Sequence, residues 1–119
     1  MKEGKKMKKV RLFVTMDDGR IVAERVVCES DMTLILSALL WFDAAQVVGV
    51  SVADLAAYVR RVIVLHEGSA RINRREALVM SVALRRGARL LDASGIAEGL
   101  ACLLCECIDA GSAFSPVTC

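Results

Sequence analysis

The sequence predicts an α+β fold, mostly α: an N-terminal β-hairpin followed by about four packed helices. Three observations lead there. Two β-rich runs flank Asp18-Gly19 near the start of the chain. Beyond them, Ser51 with Asp54 and Asn73 with Glu76 have the spacing of helix-capping pairs. Between the caps, apolar residues recur at helical spacing.

The hairpin is expected over 10–29, from VRLFVTM and RIVAERVVC. Asp18-Gly19 suits a two-residue type I′ turn, which would pair Met16 with Ile21 and Val14 with Ala23. One face then carries Leu12, Val14, Met16 and Ile21, and the other Phe13, Val22 and Val26. A lone hairpin is marginal in water, so the ribbon must pack on helices or join strands of a second subunit.

The helical part spans 31–111. A first helix from about Met32 to Val48, capped by Ser30 or Asp31, is apolar almost all round and therefore central and buried. Trp41 and Phe42 fall inside it. Gly49–Ser51 separates it from a second helix, capped by Ser51, that ends near His66 and Gly68. A connecting loop leads to a third helix, capped by Asn73 and running to about Leu91 with Gly87 inside. Ser94 caps a fourth, which Gly111 closes. Residues 1–9 form a flexible basic tail with five lysines, residues 10–111 a single domain, and 112–119 a loose tail with the only proline, Pro116.

Composition narrows the function classes. Hydrophobic residues make up 55% and aromatics 4%, so Ala, Val and Leu build the core. Such an apolar excess in a small chain predicts surface buried against a second copy or another protein. Met32–Val59 is mostly apolar, but Asp43, Gln46 and Asp54 interrupt it, and its apolar runs fall short of the ~20 residues of a spanning helix. The charged N-terminus has no secretory pattern, and five cysteines read as reduced thiols of a cytoplasmic protein.

Charge supplies the sharpest signal. Between Arg60 and Arg89 stand eight arginines against two acids, Glu67 and Glu76, on a chain whose net charge is +2. Arg74, Arg75, Arg85, Arg86 and Arg89 fall within roughly 120° of the third helix, with Leu78 and Val82 between them. Ala77, Met80, Leu84, Ala88 and Leu91 take the opposite side as a core stripe. Arg60, Arg61 and Arg71 lie upstream, and would approach the third helix's N-terminal arginines if the second and third helices pack as an antiparallel pair. A rigid, always-charged guanidinium fork suits phosphates, so this arc is expected to contact a polyanion, foremost a nucleic acid. With Trp41 and Phe42 placed in a buried helix, no aromatic platform for single strands is expected.

Two other readings stand beside that one. The arc is a solvated face, or it pairs with acidic surfaces within or between subunits, as in an adaptor or inhibitor that docks another protein. Glu98, Glu106 and Asp109 share about 80° of the fourth helix, and Leu12–Val59 holds seven acids against two arginines. Cys102, Cys105 and Cys107 invite a metal reading, but Cys107 points about 200° away from Cys105, so the three cannot converge on one ion. Cys102 and Cys105 remain the weak metal or redox candidates. His66, at the end of the second helix, has no catalytic partner at recognisable spacing. Neither a carboxylate pair nor a phosphate-binding glycine loop appears, and the chain is expected to be non-catalytic, without cofactor, and homo-oligomeric.

Overall fold

The computed structural model describes residues 8–87 and 94–110. The hairpin forms from β1 (Lys9–Thr15) and β2 (Ile21–Cys28), antiparallel, with Val14 opposite Ala23 as expected. Its turn differs from the type I′ expectation. Met16 N–H donates to Arg20 C=O (2.8 Å), and Gly19 N–H donates to Met16 C=O (2.9 Å), so three residues close the loop. Only Gly19 takes a positive φ (+90°), whereas a type I′ turn would force Asp18 there too. Asp18 is instead held by Arg20, whose N–H donates to Oδ1 at 3.0 Å. Met16 thus faces Arg20 rather than Ile21. A register shift after Val14 restores the expected pairing along the rest of the ribbon.

Helix α1 (Glu29–Trp41) starts earlier and ends earlier than its hydropathy suggests. Cys28 is its N-cap residue in place of Ser30 or Asp31, and Asp31 Oδ2 accepts the Cys28 N–H at 2.9 Å. At the other end Phe42 leaves the helix with φ −77° and ψ 129°. The stretch expected to continue the helix holds a two-residue-strand hairpin, β3 (Gln46–Val47) and β4 (Val50–Ser51), turned by Val48 and Gly49 with φ +46° and +80°.

Helix α2 (Val52–Val64) has the predicted Ser51 cap, whose Oγ accepts from Asp54 N–H at 3.2 Å. Its C-terminus closes as a Schellman motif: Glu67 N–H reaches Val62 C=O (3.0 Å) and His66 N–H reaches Ile63 C=O (3.1 Å). The left-handed position of that motif is His66, at φ +50°. The expected connecting loop then contains a strand, β5 (Ser69–Asn73), which lies parallel to β1. The sheet order is β2-β1-β5, so the ribbon is completed within the chain. Helices α3 (Arg74–Gly87) and α4 (Ser94–Ala110) follow. The far end of the predicted third helix, with Arg89 and Leu91, and the Gly111 stop lie outside the described residues, as do the two tails.

One face of the sheet is buried under the helices. Val10, Leu12, Val14, Ala23, Val27, Ala70 and Ile72 point inward, and Arg11, Glu24, Val26, Ser69 and Arg71 alternate outward. Met32, Ile35, Leu39, Leu55, Val59, Met80, Leu84 and Leu104 complete one continuous core. Helix α1 packs against both α2 and α3, and α3 packs against α4. The second and third helices are therefore not the close pair the sequence suggested: α1 is their common neighbour. It is central, as its composition predicts, but its last two residues are not buried. Leu40 and Trp41 stand 69% and 66% exposed.

Candidate functional site

The strongest cationic face belongs to α3, and its N-terminus explains why it is unbroken. Asn73 Oδ1 accepts the Glu76 N–H, and Glu76 Oε1 accepts the Asn73 N–H, both at 2.8 Å. This reciprocal box stops two backbone donors and holds the helix's only acid at the cap. Ala77, Met80 and Leu84 are buried as the stripe requires, together with Val79, Ser81 and Ala83. What remains outward is Arg74, Arg75, Leu78, Val82, Arg85 and Arg86.

These arginines sit in distinct surroundings. Arg74 is half-buried, its Nη1 3.7 Å from Met16 Sδ and its Nε without a hydrogen-bond partner. Arg75 Nη2 lies 3.9 Å from Asp17 Oδ2 of the hairpin turn. The two line a cleft of about 350 Å³ with Asp17, Val48, Leu78 and Ile108. Arg85 turns towards α4, with Nε 3.7 Å from Glu98 Oε1 and Nη2 3.9 Å from Cys102 Sγ. Arg86 lays its guanidinium over the Phe42 ring, 5.7 Å from the centroid.

Internal pairing with α4 thus engages Arg85 alone among the described residues, while Glu106 and Asp109 pair with no arginine there. Both ion pairs on the arc are long and exposed on each side. Such pairs contribute about 0–1 kcal/mol, so a polyanion can displace them.

Arg60 and Arg61 lie on α2, and Arg71 lies on β5, which packs against α2. Tyr58 joins Arg61 and Arg71: its hydroxyl accepts the Arg71 backbone N–H at 2.8 Å, and the Arg61 guanidinium lies 5.3 Å from its ring centroid. Arg61 also meets Glu67 at 3.5 Å. Arg60 and Arg61 border a shallow groove of about 320 Å³ with Ala57, Val64 and Leu65.

The cysteines fall as helical geometry requires. Cys102 is exposed, Cys105 half-buried and Cys107 fully buried on the core side. Burial pushes the Cys107 thiol above its usual range, which keeps it protonated. Among the described residues no three His, Cys, Asp or Glu side chains gather where a metal ion could sit. His66 faces Glu29 across the start of α1, with Nδ1 3.1 Å from Oε2. No helix among them is long and apolar enough to cross a membrane.

Sequence reasoning missed the aromatic end of α1. Placing Trp41 and Phe42 in a buried helix is corrected by Trp41, which is exposed beside Phe42 and Arg86. Gly49, expected as part of a break between two helices, instead turns with Val48 a hairpin of Gln46-Val47 and Val50-Ser51, which replaces the last turns of the expected helix. Comparison with known protein families, with characterised proteins and with solved structures finds no match to this chain.

Proposed function

We propose that this protein is a non-catalytic nucleic-acid-binding protein that contacts the phosphate backbone through α3, using Arg74, Arg75, Arg85 and Arg86. One observation carries the reading: four arginines on one arc of a helix whose only acid, Glu76, is held in the cap. Over 12 residues at about 1.5 Å each, the charges extend along roughly 18 Å of helix axis, long enough to touch several phosphates. Each phosphate neutralised releases condensed counterions, so affinity falls steeply with salt. Contacts of this kind carry little sequence information. The protein works in the cytoplasm, with its thiols reduced.

The test is a salt titration of binding to DNA and RNA of unrelated sequence. Four contacts give a slope of log K against log salt of roughly −3 to −4 on duplex DNA. Reversal of Arg75, Arg85 and Arg86 to Glu should abolish binding. A wild-type protein with no salt-sensitive binding would refute the proposal.

A second reading rests on the α2 arginines. Val64 and Leu65 are 60% and 61% exposed beside Arg60 and Arg61, an apolar centre with a charged rim that fits a protein partner or a second copy. Light scattering on wild type and a Val64→Glu, Leu65→Glu variant separates the two occupants. A dimer lost in the variant identifies self-association.

A further inference from the structure

Arg86, the last described arginine of the arc, lies beside an exposed indole. When Phe42 leaves α1 its N–H still donates to Leu39 C=O (3.2 Å), and its ring turns inward to half-burial. That turn leaves Trp41 outside, 66% exposed, at the mouth of a cleft of about 190 Å³. Ala38 of α1 and Ala83 and Gly87 of α3 line the cleft with little bulk, alongside Trp41, Phe42, Arg86 and Asp43. Arg86 belongs both to the arc and to this cleft, where its guanidinium lies over Phe42.

We infer that Trp41 stacks on an unpaired base of a single-stranded polynucleotide whose phosphates are held by Arg86 and the other α3 arginines. The inference rests on the nucleic-acid reading of α3 and adds the strand state. A surface that tracks duplex phosphates has no use for an aromatic face, because paired bases hide theirs within the stack. A single strand offers both groups at once: phosphate to the guanidinium and base to the indole. Stacking tolerates any base, in keeping with backbone contacts that carry no sequence. Asp43 repels phosphate on its own side of the cleft, which directs the strand along the Arg86 side. The Arg86 guanidinium over the Phe42 ring keeps N–H donors that a phosphate oxygen can accept.

Trp41 is the chain's only tryptophan, so its emission reports the site directly. The probes are oligo(dT), oligo(U) and a mixed-sequence DNA duplex, with binding followed separately by anisotropy of the labelled strand. Quenching by either single strand, absent with the duplex, is expected. Trp41→Ala should weaken single-strand binding by about 5- to 150-fold, the equivalent of one lost stacking contact, with duplex affinity and the salt slope unchanged. Trp41→Phe should recover part of the loss. Salt-sensitive binding without quenching, or an equal effect of Trp41→Ala on both strand states, overturns the inference and leaves the proposed function standing. Absence of any polynucleotide binding overturns both. An emission shift that follows protein concentration and ignores polynucleotide marks a contact between copies, and also overturns it.

Discussion

Val48 is the residue at which local geometry and side-chain type disagree most. A two-residue turn with both φ values positive favours Asn-Gly, yet a β-branched, 50% exposed valine occupies its first position. Left-handed backbone at such a residue costs on the order of 1–3 kcal/mol. Val48→Asn should therefore stabilise the protein by about 1 kcal/mol, read as a higher urea midpoint at unchanged slope. Val48 also lines the cleft of Arg74 and Arg75, so the same variant tests whether that wall takes part in binding. The cysteines provide a second residue-scale test. Cys102 should react rapidly with a thiol reagent in the native state, and Cys107 only on unfolding. Because the folded-state pKa of Cys107 is raised, its contribution to stability is full below the unfolded thiol value, near 8.5, and is lost as pH rises above it. Cys107→Ala should flatten that alkaline loss in denaturation curves between about pH 8 and 10.

At the scale of elements, caps were the most legible features. Ser51 and Asn73 both start helices as read, because a side-chain acceptor three residues from a free backbone donor needs no tertiary help. Asn73→Ala should cost about 1 kcal/mol of stability, the usual loss of an N-cap acceptor, and Glu76→Ala should also destabilise, because it removes the single bond returned to the Asn73 N–H. Chemical denaturation of the two variants measures this. β5 was missed because five residues, Ser69–Asn73, carry only two inward side chains, Ala70 and Ile72. That alternation is real but too short to separate from a loop without its partner strand. The end of α1 was misjudged for a related reason. Apart from Asp43 and Gln46 the apolar composition continues through Val48, and composition alone cannot tell a buried helix from a tight hairpin packed at its end.

For the whole molecule, the position of α1 matters most. By packing against both α2 and α3 it sets Arg60 and Arg61 of α2 apart from Arg74, Arg75, Arg85 and Arg86 of α3, although the arginines look contiguous in sequence. Binding through α3 should then be insensitive to the α2 arginines. Arg60→Glu with Arg61→Glu should change the salt slope less than Arg85→Glu with Arg86→Glu. Equal effects would mean that one ligand spans both sides of α1. The core must hold this arrangement in place. Leu104 is 1% exposed where α4 closes over α3, and Leu104→Ala should cost about 2–5 kcal/mol in urea denaturation, a large part of a small domain's stability.

Local chemistry explains what the sequence alone determined: the hairpin with Val14 against Ala23, the caps of α2 and α3, the apolar stripe of Ala77, Met80 and Leu84, and the opposite faces of Cys102 and Cys107. Each depends on neighbours within a few residues or on one helical period. Tertiary structure decided the rest: the third strand, the exposure of Trp41, the pairing of Arg85 with Glu98, and the separation of the arginines. Those outcomes depend on which surfaces meet across dozens of residues, and many arrangements of the same apolar faces satisfy the same local rules.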